Sequence, residues 1–210
     1  MQNYNVYNDY DQKLFKEEVA KGTRRLNITG LSPSGESGDV SIRDPKSDFY
    51  YISGSPTWCF QKNLRDARGW ERFMTKADEE ILIPWSEPTI EWYTHAAIYR
   101  ARPDVNAIVH THGLWASVFA ACEMDVPLKY SGEGLTGVIP CAKYVAAGTQ
   151  EVGRVTAEAL GDKDWVLMGN HGAVFVGKDL NEAFDKALWA EDLCHKAYMG
   201  ILSEKIGKIR

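Results

Sequence analysis

Apolar residues recur along this chain at two spacings, one typical of helices and one typical of strands. Five stretches have the helical spacing, and we predict helices over 11–25, 90–101, 114–122, 150–160 and 181–203. Short runs rich in β-branched and aromatic residues predict strands around positions 40–42, 49–52, 108, 128, 138, 166 and 173–176. A polar segment between two further apolar runs predicts a hairpin over 72–83, and Thr89 is the predicted N-cap of the second helix.

Strands and helices alternate, but the strands are too short and irregular for a doubly wound parallel sheet. We therefore predict an α/β fold, an α/β/α sandwich in which helices cover a mixed, mainly antiparallel sheet. A chain of 210 residues that is 44% hydrophobic can bury a proper core. No repeat, low-complexity tract or linker divides it, so we expect residues 1–210 to form a single domain.

Charge and composition narrow the function. The net charge of −5 offers no basic surface for nucleic acid or an anionic membrane. No apolar run approaches the roughly 20 residues that span a membrane, and the first residues lack the features of a signal peptide. The four cysteines are scattered without a Cys-x-x-Cys pair, which is typical of free thiols in a reducing compartment. We therefore expect a cytoplasmic protein with a small-molecule substrate.

Three of the five histidines are spaced like the ligands of a metal ion. His110 and His112 are two residues apart at the end of a predicted strand, so both should project from one face. His171 follows another strand-like run at 165–168. Three imidazoles leave one coordination position open, which is typical of catalytic zinc and not of a closed structural site. Each histidine could also be an ordinary polar side chain at a strand end, and spacing alone does not choose between the two.

The other two histidines have different surroundings. His95 lies four residues after Glu91 on a predicted helix, so the two share a face and could form a ligand pair or a local hydrogen bond. His195 lies on the last predicted helix beside Cys194 and Tyr198, where we expect packing in the core or in an interface.

A series of motifs runs through most of the chain. The longest begins at Glu91-Trp92, continues through Tyr99-Arg100-Ala101-Arg102-Pro103 and ends at His110-Thr111-His112. The shorter ones are Ser37-Gly38-Asp39-Val40-Ser41-Ile42-Arg43, Ser53-Gly54, Ile139-Pro140-Cys141-Ala142, Ala147-Gly148-Thr149 and Asn170-His171-Gly172. In this order they closely resemble the class II aldolase/adducin family, which includes fuculose-phosphate and rhamnulose-phosphate aldolases, ribulose-phosphate 4-epimerases and methylthioribulose-phosphate dehydratases.

The resemblance implies a class II aldolase-like fold with zinc, or another divalent metal such as Mn²⁺ or Co²⁺, on His110, His112 and His171. It implies that Glu91 is the catalytic acid/base. It also suggests Tyr130 as a second catalytic residue, lent to the site of a neighbouring subunit; the alternative is that Tyr130 is an ordinary strand aromatic. Members of the family form cyclic tetramers with active sites between subunits, so the resemblance implies a homotetramer.

The resemblance also implies a set of substrate-binding residues, which are Glu36, Gly38, Asp39, Ser53, Gly54 and Thr89. Three positions depart from the pattern, because Glu36 replaces Thr, Asp39 replaces Asn, and Ile90 replaces the Ser before the catalytic Glu. Two carboxylates beside a phosphate of about −1.5 to −2 charges cost several kcal/mol. No Lys nearby in the sequence offsets this, although Arg43 is a candidate partner of Asp39. We therefore expect an unphosphorylated substrate with hydroxyls or a cationic group, unless both carboxylates turn outward and backbone amides hold a phosphate.

These residues together predict a zinc-dependent carbon–carbon lyase. It would perform aldol or retro-aldol cleavage of a sugar-like hydroxy-ketone or a keto-acid through a metal-stabilised enediolate, with Glu91 moving the proton on carbon. A decarboxylase, epimerase or dehydratase with the same metal site is the alternative, since each begins with charge beside a carbonyl. A glutamate at this position favours an aldolase or dehydratase over the epimerases, which carry Asp. A non-catalytic adducin-like binding module fits less well with intact histidines and Glu91.

Overall fold

Five α-helices and ten strands make up the part of the chain that the computed structural model describes, residues 9–33, 37–46, 49–54, 59–63, 70–71 and 89–208. The helices are α1 (Asp9–Ile28), α2 (Trp92–Ala101), α3 (Leu114–Ala121), α4 (Gln150–Leu160) and α5 (Leu180–Gly207). The strands are β1 (Asp39–Arg43), β2 (Phe49–Ser53), β3 (Cys59–Asn63), β4 (Trp70–Glu71), β5 (Ala107–Thr111), β6 (Val126–Pro127), β7 (Val138–Ile139), β8 (Cys141–Ala142), β9 (Trp165–Met168) and β10 (Gly172–Gly177). A 3₁₀ turn covers Leu128–Tyr130.

Eight of these strands form one sheet in the order β4-β3-β2-β1-β5-β10-β9-β8, and β6 pairs with β7 separately. Neighbours in the large sheet are antiparallel except β8 and β9, which run parallel. The predicted mixed, mainly antiparallel sheet is therefore confirmed. Strand β5 lies between β1 and β10, and this central position brings the end of β5 next to both neighbours.

Helices cover both faces of the sheet. On one face, α1, α3 and α5 pack around Val109 and Phe175. On the other face, α2 and α4 pack around Ile108 and Val174. Successive residues of a strand point to opposite faces, so Ile108 and Val109 belong to different layers, and burying each such side chain stabilises the fold by about 1.5–3 kcal/mol. The predicted α/β/α sandwich is confirmed.

The same alternation places the candidate site. His110 lies two residues after Ile108 on the same strand, so both side chains project from the face that α2 covers. Helix α2 starts at Trp92, directly after Glu91. The carboxyl end of β5 and the start of α2 therefore meet on one face of the sheet.

Some predicted boundaries differ from the structure. Glu91 occupies the N-cap position of α2, and Thr89 lies two residues earlier, where its hydroxyl accepts the backbone N–H of Glu91 at 3.2 Å. The prediction of Thr89 as the N-cap is therefore wrong. Tyr130 belongs to the 3₁₀ turn and not to a strand. The predicted hairpin at 72–83 lies outside the described residues.

Two observations bear on the expectations from composition. None of the described helices combines the length and the apolar character needed to cross a bilayer. Cys122, Cys141 and Cys194 are free thiols.

Candidate active site

The three predicted metal ligands meet at one point. Nitrogen atoms of His110, His112 and His171 all lie within 4.8 Å of one another, and the Nε2 atoms of His110 and His112 are 3.1 Å apart. The ring centroids are separated by 4.9, 4.9 and 5.0 Å, with planes inclined at 69° to 76°. The rings thus surround a common centre with nearly threefold geometry, and among the described residues this is the one group of possible ligands at such spacing.

Close approach of two backbones makes this geometry possible. His110 is on β5, and His171 is in the turn that enters β10, the adjacent strand. A Cβ on Gly172 would come within 2.3 Å of the Thr111 carbonyl oxygen and 3.1 Å of Cε1 of His110. Only glycine fits there. Asn170 turns the chain with a φ of 49°, a left-handed conformation that asparagine tolerates better than most residues.

Hydrogen bonding and burial keep the imidazoles in the form that binds metals. Nδ1 of His110 lies 3.0 Å from the carbonyl oxygen of Ala173. Because a carbonyl only accepts, Nδ1 carries the proton and Nε2 keeps its lone pair. Burial, followed by the nearby His110 and His171, lowers the pKa of His112 to about 3, and burial also lowers the pKa of His171. Metals bind neutral imidazole, so this donor set fits a divalent ion.

Glu91 lies beside the three histidines and is 3% exposed. Its Oε2 accepts the Thr94 hydroxyl at 2.9 Å, and its Oε1 accepts the Gly148 N–H at 3.3 Å. Oε1 also lies 3.9 Å from Nδ1 of His171. Donors from α2 and from the loop before α4 therefore hold one buried carboxylate at the edge of the histidine cluster.

Asp39 is buried and has its own partners. Its Oδ1 lies 2.7 Å from Nε2 of the fully buried His95, and its Oδ2 accepts the Thr89 hydroxyl at 2.6 Å. Burial alone would raise the pKa of Asp39, but contact with His95 outweighs it and the pKa is about 2. The carboxylate is therefore ionised. Arg43, the partner considered from sequence, instead donates to backbone carbonyls at the end of α2.

Of the other predicted substrate-binding residues, Ser53 and Gly38 lie next to the strand that carries Asp39. The Ser53 hydroxyl accepts a backbone N–H from β1 at 3.0 Å, and its carbonyl accepts the Thr89 N–H at 3.3 Å. Gly38 has a φ of 81°, and a Cβ there would come within 2.7 Å of the β5 backbone. Gly54 is half-buried at the end of β2. Glu36 lies outside the described residues.

Tyr130 and His195 contact other parts of the molecule. The Tyr130 ring packs on α5, where a Cβ on Gly200 would come within 2.3 Å of it, and the Lys129 ammonium lies 4.6 Å from its centroid. His195 is exposed and stacks on Trp115 with centroids 4.1 Å apart. His195 is therefore outside the core, its packing in an interface stays a prediction, and the described contacts of Tyr130 are with α5.

Glu191 holds the start of α3, directly after the strand that carries His110. The sequence did not predict this role. Its carboxylate accepts the backbone N–H groups of Trp115 at 2.8 Å and Ala116 at 3.0 Å, in the first turn of α3. Gly113 occupies the N-cap position and cannot cap with a side chain, and a Cβ there would come within 2.3 Å of Glu191. Glu191 thus fixes the segment directly after His112. The one sequence signal was a helix that begins at glycine without a capping side chain.

We expect Gly172→Ala to lose bound metal and stability, because the added methyl overlaps the Thr111 carbonyl and presses on the His110 ring. Overpacking of this kind costs about 1–3 kcal/mol. Elemental analysis and thermal unfolding measure the two effects. Gly207→Ala is the matched control, since a Cβ there meets nothing within 4 Å. Equal metal content in the two variants would contradict the need for glycine at 172.

Stability of the metal-free protein should fall as the pH drops below the ordinary pKa of His112, which is 6.5, towards its folded value of about 3. Across this interval His112 binds a proton in the unfolded chain but stays neutral in the folded protein, so acid favours unfolding. Protonation of Asp39 lowers the stability of the fold only below the ordinary pKa of this carboxyl, which is 3.8. Denaturant midpoints in chelator should decline between about pH 6.5 and about pH 4, and less steeply for His112→Asn. Equal slopes would remove His112 from this behaviour.

Comparison with known proteins agrees with the fold. Residues 17–198 match the family model described as Class II Aldolase and Adducin N-terminal domain. The chain is 28% identical over 177 residues to the 5-deoxy-D-ribulose 1-phosphate aldolase of Bacillus thuringiensis serovar kurstaki, covering 82% of this chain and 78% of that protein. It is 29% identical over 172 residues to the L-fuculose phosphate aldolase of Methanocaldococcus jannaschii, covering 81% and 89%.

Solved structures show the same architecture. An L-fuculose 1-phosphate aldolase superposes with a TM-score of 0.74 at 22% sequence identity, covering 98% of this chain and 91% of that chain. A sugar-phosphate aldolase from Thermotoga maritima superposes with a TM-score of 0.67 at 21% identity, covering 94% and 97%. At these identities the likeness concerns the fold.

One expectation is not supported. The names of both relatives specify phosphorylated substrates, whereas the carboxylate at position 39 had led us to expect an unphosphorylated one. The physical reason lies in the partners of Asp39, whose two oxygens face His95 and Thr89. The carboxylate therefore neither turns outward nor stands unpaired.

The predicted resemblance is confirmed, and an enzyme related to the class II aldolases is confirmed at the level of the family. The match extends from α1 into α5 and includes all three histidines and Glu91. This chain belongs to the class II aldolase/adducin family.

Proposed function

We propose that this chain is a divalent-metal-dependent lyase that catalyses reversible aldol cleavage of a phosphorylated ketose. The observation that carries the proposal is the convergence of three imidazoles beside the buried carboxylate of Glu91, 3.9 Å from His171. The names of the relatives support the reaction and the phosphate. Zinc is the metal we propose, because three imidazoles with one open position are typical of catalytic zinc.

The residues suit the two halves of the reaction. A divalent ion on the three imidazoles would supply Lewis-acid stabilisation of the charge that develops beside the substrate carbonyl. In cleavage, the hydroxyl would pass its proton to a second acid/base group as the carbon–carbon bond breaks, and protonated Glu91 would deliver a proton to carbon in the ketone fragment. In synthesis, ionised Glu91 would remove that proton and the second group would return one to the oxygen. Thr94 and Gly148 hold the carboxylate by both oxygens, so Glu91 needs little reorganisation to act.

We further propose a homotetramer in which Tyr130 of one subunit serves the site of its neighbour. Tyr130 packs on α5 and does not join the histidines of its own chain among the described contacts. Helix α5 exposes several apolar side chains, which are Leu188, Trp189, Tyr198, Met199, Leu202 and Ile206. Exposed apolar surface of this kind favours contact with another protein. The phenol would exchange a proton with the hydroxyl oxygen that becomes the aldehyde.

The free thiols of Cys122, Cys141 and Cys194 support the cytoplasmic location that we also propose, because such thiols persist in reducing compartments. Cell fractionation would check this location. Recovery of the protein outside the cytoplasm would refute it.

Zinc-loaded protein should exchange a carbon-bound hydrogen of dihydroxyacetone phosphate with solvent deuterium, which NMR detects directly. Glu91→Gln keeps the shape of the side chain but cannot take the proton, so exchange should fall by roughly 10²–10⁴ while metal content stays constant. Unphosphorylated dihydroxyacetone is the matched substrate and should exchange more slowly. Reloading with Mn²⁺ or Co²⁺ compares the metals.

Each outcome of this exchange experiment is informative. Absence of exchange from a metal-replete protein, with pyruvate and glycolaldehyde also inert, would refute the aldolase proposal in favour of decarboxylation, epimerisation or dehydration. Equal rates with and without phosphate would refute the phosphorylated substrate. Full exchange by Glu91→Gln would remove Glu91 from the mechanism.

Mixing two impaired variants should restore activity if sites form between subunits. Glu91→Gln and Tyr130→Phe should each be poorly active alone. After dissociation and reassembly of equal amounts, about a quarter of the sites would combine an intact Glu91 with an intact Tyr130 from the neighbour. Sedimentation verifies the hybrids and the tetramer. Verified hybrids that remain as inactive as the parents would rule out the shared site.

A further inference from the structure

A chain of buried polar groups crosses from α2 to β1 behind Glu91. Tyr99 and His95 lie on α2, Ser41 and Asp39 lie on β1, and each is at most 2% exposed. The Tyr99 and Ser41 hydroxyl oxygens are 2.8 Å apart, Ser41 Oγ is 2.7 Å from Nδ1 of His95, and Nε2 of His95 is 2.7 Å from Oδ1 of Asp39. The chain therefore ends at the carboxylate of Asp39.

The donors in this chain all point towards Asp39. The carboxylate is ionised and only accepts, so Nε2 of His95 carries a proton towards it. Nδ1 is then able to accept the Ser41 hydroxyl, and Ser41 to accept the Tyr99 phenol, whose pKa burial raises. The last link, between Nε2 of His95 and Oδ1 of Asp39, is a buried close contact of 2.7 Å, and removing the ring would leave that carboxylate oxygen without it.

The second oxygen of Asp39 connects this network to Glu91. Thr89 has a single hydroxyl proton and donates it to Oδ2 of Asp39 at 2.6 Å. The lone pairs of the Thr89 hydroxyl oxygen are thereby turned to the backbone N–H of Glu91, which that oxygen accepts at 3.2 Å. Glu91 occupies the N-cap position of α2, and its own side chain makes no capping hydrogen bond. The Thr89 hydroxyl is thus the fixed point from which the first turn of the helix starts.

We propose that His95 is a positioning residue for Glu91 and acts through Asp39 and Thr89. By holding Asp39 in one orientation it fixes the Thr89 hydroxyl and, through it, the backbone at the head of α2. The proposal rests on the proposed function, in which Glu91 moves a proton on carbon. A displacement of about 1 Å in such a group costs up to roughly 10²-fold in rate, so the buried chain acts on turnover without touching the substrate.

The test compares His95→Leu with Tyr99→Phe in the zinc-loaded protein. His95→Leu removes the donor to Asp39, whereas Tyr99→Phe removes a buried hydroxyl at the far end and leaves the Asp39, Thr89 and Glu91 contacts intact. Amide hydrogen exchange, resolved by NMR, measures protection of the Glu91 N–H. Turnover of dihydroxyacetone phosphate exchange gives kcat and KM separately.

We expect His95→Leu to lower protection of the Glu91 N–H by about tenfold or more. We expect kcat to fall by roughly 10- to 10²-fold with KM nearly unchanged. Tyr99→Phe should stay near wild type in both measurements. His95→Gln, whose amide can donate to Asp39, should recover part of the loss. The Val109 N–H, in the middle of the sheet, should remain protected in all variants.

Equal protection of the Glu91 N–H in His95→Leu and Tyr99→Phe would overturn the proposal, as would a rise in KM with unchanged kcat. If His95→Leu does not fold, Thr89→Val breaks the chain one step later and should lose the same protection, and Thr89→Ser should keep it. Retained protection in Thr89→Val would also overturn it. If the wild type has no turnover, the proposed function fails, and amide protection still decides the positioning role.

Discussion

The register of β5 between β1 and β10 is the constraint on which the rest of this molecule depends. It places His110 opposite Asp39 on one side and opposite Val174 on the other. A slip of one residue would turn His110 to the opposite face of the sheet, away from α2 and Glu91. The candidate metal ligands, the carboxylate that faces them and the buried chain behind it are therefore consequences of one pairing. Gly172 secures this pairing, since any side chain there would separate the two strands.

The electrostatics of the site follow from the burial of its side chains. Burial keeps His112 and His171 neutral by lowering their pKa values, and neutral rings cluster without the repulsion that three imidazolium groups would suffer. Asp39, ionised across the strand from His110, places a negative charge where a cation would be attracted. The site is therefore prepared for a positive ion by neutral ligands and a nearby fixed charge.

The sequence predicted those features that depend on local spacing. Helical and strand periodicities located the helices and most strands, and the i, i+2 spacing placed His110 and His112 on one face. Contacts between distant segments were beyond such arguments. Glu191 lies 76 positions from the Trp115 N–H that it accepts, and Gly148 lies 57 positions from Glu91. Such contacts depend on how helices cross the sheet. The prediction of Thr89 as the N-cap failed because its hydroxyl accepts the N–H of Glu91, which lies before the first helical residue.

Asp39 shows why residue type alone was insufficient. As an isolated charge about 4 Å from a phosphate at an effective dielectric near 20, it would cost about 4 kcal/mol per unit charge, and this argument led to an unphosphorylated substrate. In the folded chain one carboxylate oxygen accepts the Thr89 hydroxyl and the other lies 2.7 Å from Nε2 of His95, so both are turned to protein groups. The same donors that stabilise its charge also fix its orientation. Its influence on the site is then exerted through the position of Thr89 and Glu91, so the consequence of a carboxylate depends more on which donors it meets than on its charge.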